Sequence, residues 1–269
     1  MSPRETETLE EPLTSAIQEY WNKNIHDQDV ATHPIGTTAF FQELDDYRFH
    51  KLSYLPKLVD FSSYQGKQLL EVGCGLGIDL VRFARAGAQV TGIDLSATAI
   101  ELARSNFAGN GLTAALQVMD GEALGFKDSS FDAVYAHGVL QYAADARTMI
   151  KEIYRVLRPS GQAILMVYNK YSWLSALSRI SKVELEHQDA PAFRTYSKRE
   201  YMSLLHAFEH TQIVPERFPV RTRLHSGLKA KLFNVVFVGS FNRLPYSVVK
   251  PLGWHLMAFA IKPWVPGST

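Results

Sequence analysis

The spacing of apolar residues changes period several times along the 269-residue chain. Residues 14–24, TSAIQEYWNKN, carry apolar side chains at helical intervals, with Thr14 or Ser15 placed as N-cap. A polar stretch follows, NIHDQDVATHPIG, and reads as a loop. The next segment, FFQELDDYRFHKLSYLPKLVDF, predicts a helix interrupted near Pro56, because proline removes a backbone donor and crowds the preceding turn.

From residue 66 onward short apolar runs alternate with amphipathic stretches. GKQLLEVG, AQVTGID, ALQVMD, FDAVYAHG and QAILMVYN read as five buried strands. Between them IDLVRFARAG, SATAIELARSNFAGNG and DARTMIKEIYRVLRPSG read as helices. Ser96 is placed to cap the second, and Pro159 with Gly161 to end the third. Strands separated by helices imply βαβ units and an α/β fold built on a largely parallel sheet covered on both faces. Further on, TYSKREYMSLLHAF predicts a helix, and TQIVPERFPV and GWHLMAFAIKP two more strands. The 32 residues between those two strands are too many for a simple connection.

Composition adds limits. The net charge is +1, so no chain-wide field favours nucleic acid, and the single cysteine, Cys74, excludes an internal disulfide. The acidic, polar start has no apolar core of a signal peptide, and no apolar run approaches the ~18 residues of a membrane span. Residues 1–12 are expected as a disordered tail, residues 13–269 as one domain, and the cytoplasm as its compartment. Charge is uneven, however. No acid follows Glu216, while that stretch holds eight Lys and Arg residues. It reads as a solvated face, as a guide for an anionic substrate, or, through 228–243, as a weak contact with a membrane surface.

The candidate chemistry begins at LLEVGCGLGIDL. Gly73, Gly75 and Gly77 form G-x-G-x-G at the carboxyl end of the first strand, where such sheets bind ligands. The Walker pattern G-x-x-x-x-G-K-[ST] is absent. The dinucleotide pattern needs a third glycine where this chain has Ile78. Glu71 stands just ahead of the loop and would repel a pyrophosphate while accepting a cation. Asp94 closes the second strand, where a carboxylate can take a ribose diol. Asp120 closes the third and can accept from an exocyclic amine. One ligand touching all three carries a cation, a sugar and an amino-bearing base.

EVGCGLG, GIDLS, DGEALGFKDSSFDAVYAHGVLQY and RVLRPSGQAIL resemble the ordered motifs of class I S-adenosylmethionine (SAM)-dependent methyltransferases, in particular the small-molecule branch that includes ubiquinone and menaquinone biosynthesis enzymes. The resemblance covers about residues 66–170. It implies a Rossmann-like, doubly wound seven-stranded sheet of order 3-2-1-4-5-7-6 with strand 7 antiparallel, and GWHLMAFAIKP as that strand. It implies that Glu71, Gly73, Cys74, Gly75 and Gly77 flank the methionine part of SAM, that Asp94 binds the ribose, and that Leu95, Asp120, Gly121 and Glu122 surround the adenine. His137 and Gly138 would face the methyl group.

A small, hydrophobic or anionic acceptor is the expected substrate. The (D/N)PPY signature of nucleic-acid amine methylation is replaced by AHGVL, and the paired-glutamate hairpin of protein arginine enzymes is missing. Residues 13–65 are expected as a helical cap, with inserts near 169–194 and 221–252 as a lid. Tyr20, Trp21, Tyr142 and Tyr168 are candidate substrate contacts. His137, His26 and His33 are candidate bases, and no metal site is expected. The rival reading is a SAM-binding regulatory module without catalysis.

Overall fold

The computed structural model describes residues 4–181, 185–219, 238–241 and 243–264. Seven strands form one sheet: β1 (Gln68–Val72), β2 (Gln89–Asp94), β3 (Ala115–Val118), β4 (Phe131–His137), β5 (Leu157–Tyr168), β6 (Glu209–Glu216) and β7 (His255–Ile261). Their order is β3-β2-β1-β4-β5-β7-β6. The pairs from β3 through β5 are parallel, and β7 runs antiparallel to both β5 and β6. This is the expected Rossmann-like arrangement, including the seventh strand.

Alternation explains the two-sided core. Along each central strand neighbouring side chains point to opposite faces. Leu70, Val134 and Leu165 join one buried cluster, shared with helix α6 (Ala146–Val156) and α8 (Lys198–Leu204). Leu69, Tyr135 and Ile164 join the other, shared with α4 (Ile78–Arg85) and α5 (Ala97–Gly109). Both faces being dry accounts for the continuous apolar runs that marked these strands in the sequence.

Helix boundaries follow local chemistry. The Ser96 hydroxyl accepts from the Ala99 amide at the start of α5, and Asp145 caps α6. Ser197 and Glu200 form a reciprocal capping box at α8. Two expectations require correction. The first helix, α1, spans Arg4–Lys23, so residues 4–12 are helical and Thr14 lies inside the helix. A Glu-rich stretch loses little side-chain freedom in a helix, which a tail reading based on polarity overlooks. The helix expected to end at Pro159 and Gly161 stops at Val156, and β5 begins at once. A register shift between β4 and β5 absorbs the irregular Arg158–Gly161 segment.

The second N-terminal helix is α2 (Thr38–Lys51), followed by the short α3 (Leu55–Leu58). The break lies before Pro56, which occupies the first turn of α3, where its missing N–H costs nothing. In the 169–194 insert, α7 covers Trp173–Ser181. Most of the 221–252 insert, and residues 228–237 and 242 of the 228–243 stretch, lie outside the described residues. Among the described residues no helix is long and apolar enough to cross a membrane.

Candidate active site

A cavity of about 220 Å³ opens beyond the carboxyl ends of β1, β2 and β4. The β1–α4 turn forms its floor. Gly73 and Gly75 adopt φ of +68° and +52°, a region that side chains with a Cβ rarely enter. A Cβ on Gly73 would strike the Val139 side chain, whereas a Cβ on Gly75 would meet nothing within 4 Å. Gly75 therefore keeps cavity space open. Gly77 does not reach the cavity. It precedes α4 and packs toward Phe107, so its expected place beside a ligand is corrected to a packing one. Cys74 lines the cavity but is buried, and burial pushes its thiol up.

The three strand-end carboxylates face this one cavity. Glu71 is buried, and its Oε2 has no hydrogen-bond partner. Burial and the neighbouring Asp79 push its carboxyl well up. Asp94 Oδ2 accepts from the Gly75 amide at 2.9 Å and Oδ1 from the Ser96 amide at 2.8 Å, so the aspartate ties the glycine loop to the start of α5. Asp120 Oδ1 accepts from the Glu122 amide, and Glu122 in turn accepts from the Asp145 amide. Leu95, Gly121 and Gly138 also line the cavity. Helix α1 closes it from above: Gln18 donates to the Leu95 carbonyl, Asn22 accepts from Ser96, and Trp21 faces inward.

At its far end the cavity becomes a polar chamber that the sequence motifs did not announce. Arg48 of α2 donates from Nε to Asp79 at 2.6 Å, and Tyr135 donates to the same carboxylate at 2.7 Å. Arg217, just past β6, grips both oxygens of Glu186 at 2.7 and 3.2 Å. Lys51 joins Glu186 to Asp27 at 3.0 and 3.1 Å. Burial works against the charge on Asp79, Asp27 and Glu186, yet the adjacent cations hold all three below the usual carboxylate range.

His137 sits where expected, at the end of β4, but it is not a free base. Its Nδ1 faces the Arg48 guanidinium at 3.3 Å and its Nε2 faces the Tyr54 hydroxyl at 3.1 Å. Burial and the Arg48 charge bring it down to about 3. Tyr54 also meets His255 Nδ1 at 2.6 Å, and His255 Nε2 faces Arg217 at 3.1 Å. His26 is engaged on both nitrogens too, by His187 and Asp27. His33 lies away from the cavity, exposed and paired with Glu43.

Of the aromatic candidates, Trp21, Tyr142 and Tyr168 line the cavity and Tyr20 does not. Trp21 and Tyr142 meet edge-on at 4.9 Å. Tyr20 instead supports Trp21 at 5.2 Å and bonds His187 and Asp189. Arg48, Lys51, Asp79, Glu186, Arg217 and His255 were missed in the sequence. Only His255 left a signal there, as a polar residue opening an otherwise apolar strand.

A β3-β2-β1-β4-β5-β7-β6 sheet with a glycine turn and acidic strand ends around one cavity defines the class I methyltransferase architecture. Residues 70–165 match the family model described as a methyltransferase domain. A ubiquinone biosynthesis O-methyltransferase of Idiomarina loihiensis is 33% identical over 171 residues, covering 60% of this chain and 70% of that one. A sterol 4-C-methyltransferase of Caenorhabditis elegans is 28% identical, covering 71% of this chain and 56% of that one. In fold, the magnesium protoporphyrin IX methyltransferase of Synechocystis PCC 6803, solved with S-adenosylhomocysteine (SAH), superposes with a TM-score of 0.59 at 16% identity, over 92% of this chain and 99% of that one. The chain spans between 40% and 66% of the length of the first four curated relatives it matches. It belongs to the class I SAM-dependent methyltransferase family, whose cofactor is SAM.

Proposed function

We propose that the protein transfers a methyl group from SAM to a small molecule held in the polar chamber. The observation that carries this reading is the convergence of Glu71, Asp94 and Asp120 on one cavity, with Glu71 Oε2 buried and unpartnered. A buried carboxylate without a partner is costly, and a ligand ammonium would satisfy it. The open side of Gly75 leaves the room such a ligand needs. The residues present therefore fit the cofactor.

In this reading Glu71 takes the amino end of the methionine moiety, Asp94 the ribose diol, and Asp120 with Leu95, Gly121 and Glu122 the adenine. The main chain at His137 and Gly138 lies beside the reacting centre. When bound, SAM supplies an electrophilic methyl group and its own leaving group. The protein's part is alignment and exclusion of water. Trp21, Tyr142 and Tyr168 form the apolar walls around the acceptor, and Glu186 of the 169–194 insert completes the chamber as part of a lid. His137 and His255 position the chamber wall and do not take protons from substrate.

Calorimetric titration with SAH, and separately with NADH, tests the cofactor. Micromolar binding of SAH alone is expected, and Asp94→Ala should weaken it at least tenfold, which is about 1.4 kcal/mol. Equal affinity for NADH, or no effect of Asp94→Ala, refutes the assignment.

A further inference from the structure

The polar chamber can be read by counting donors and acceptors. Its acceptor atoms are engaged. Both oxygens of Glu186 bind Arg217, and those of Asp27 bind Lys51 and His26. Asp79 is held by Arg48 and Tyr135. Each ring nitrogen of His137 and of His255 faces a guanidinium or the Tyr54 hydroxyl. A guanidinium only donates, so His137 Nδ1 and His255 Nε2 must spend their lone pairs on it.

The donors are not exhausted. Among the described residues Arg48 Nη1 and Arg217 Nε have no partner, while the three hydrogens of Lys51 face Asp27 and Glu186. Three cations (Arg48, Lys51 and Arg217) balance three carboxylates (Asp27, Asp79 and Glu186), so the chamber brings no net charge of its own.

From this inventory we infer that the methyl acceptor is an oxyanion that ionises without help from the protein: a carboxylate, or an enol or phenol already acidic in water. The inference rests on the methyl-transfer reading and names its substrate class. An alcohol would need a base, and the chamber's carboxylates and imidazoles already face cations or the Tyr54 hydroxyl; an amine would bring further N–H donors to a chamber whose unpaired groups are themselves donors. An oxyanion needs only donors. It also complements the positive charge of a sulfonium methyl donor across the cavity. The acceptor oxygen attacks the methyl carbon, a C–O bond forms as the C–S bond breaks, and the electron pair of that bond stays on sulfur. The two opposite charges cancel and no proton has to leave.

The test uses the full chain saturated with SAH, titrated at pH 7.5 with two matched pairs: acetate against acetamide, and benzoate against benzyl alcohol. At least one acid should bind tenfold or more tightly than its neutral counterpart. Lys51→Met should remove that preference while SAH affinity is unchanged. With radiolabelled SAM, methylation of an acidic phenol should follow the ionisation of the phenol itself, and the same profile should persist in His137→Asn. Neither acid outbinding its counterpart, with SAH bound, overturns the inference and leaves the methyl-transfer reading standing. An ascending pH limb that vanishes in His137→Asn also overturns it. Failure of SAH to bind overturns both.

Discussion

Removing the Asp79 carboxylate should be one of the most damaging single changes in this protein. The group is 1% exposed and accepts from Arg48 and Tyr135. Asp79→Ala would leave a guanidinium buried without its counter-ion and a phenol without its acceptor. Breaking a buried ion pair from one side costs about 3–5 kcal/mol, and the orphaned hydroxyl belongs to the same loss. A value near 4 kcal/mol follows. Taking an m-value of about 3 kcal/mol/M, because m grows with chain size, the urea midpoint should fall by about 1.3 M. The double variant Arg48→Met, Asp79→Leu removes both charges and fills the space, so it should recover more than half of the loss. Burial also predicts that 1 M salt leaves the single variant as weak as before, since screening acts mainly on exposed charges. A loss under 0.5 kcal/mol, or a double variant no better than the single one, would refute the account.

Three other outcomes are expected. Gly75→Val should lower SAH affinity more than tenfold, through a side chain projecting into open cavity and a positive φ that valine resists, as read by calorimetry. SAH binding should release a proton, because burial raises Glu71 in the free protein and a ligand ammonium would ionise it; titrations in buffers of different ionisation enthalpy should show this, and Glu71→Gln should abolish it. Stability should fall as pH drops below 6.5. His137 stays neutral in the fold down to about 3, while the unfolded chain takes up its proton near 6.5, so this residue alone should cost about 2 kcal/mol between pH 6.5 and 5 in urea titrations, and His137→Asn should flatten the slope.

The central sheet was legible in the chain because strands dry on both faces are apolar along most of their length, as LLEV, VYAH and AILMV are, with Glu71 and His137 the exceptions near the carboxyl ends. The glycine turn was legible because positive φ demands glycine. What stayed hidden was of another kind. Arg48 and Asp79 are ordinary charged residues on two different helices, and nothing local says that these two meet. Glu186 and Arg217 lie 31 residues apart, one in an irregular insert and the other at the end of a predicted strand, and no local pattern pairs them. His33 and His26 look alike in the sequence loop. Only tertiary contact sends one toward His187 and the chamber and the other out to Glu43. Local periodicity encodes elements, whereas this chamber is made by the meeting of element ends.

The position of β7 has a consequence for how the molecule is assembled. The strand enters between β5 and β6, and β6 has no other neighbour in the sheet. During synthesis β6 must therefore wait, unpaired, for a strand that emerges nearly forty residues later, while β5 holds an open edge toward it. Such long-range closure is slow, and an open edge can pair with the wrong chain. The strand that ends the wait also begins with His255, so the event that seals the sheet is the same one that completes the chamber wall. Chains halted before that point would carry a formed glycine turn and an acidic cofactor end, yet no finished place for an acceptor.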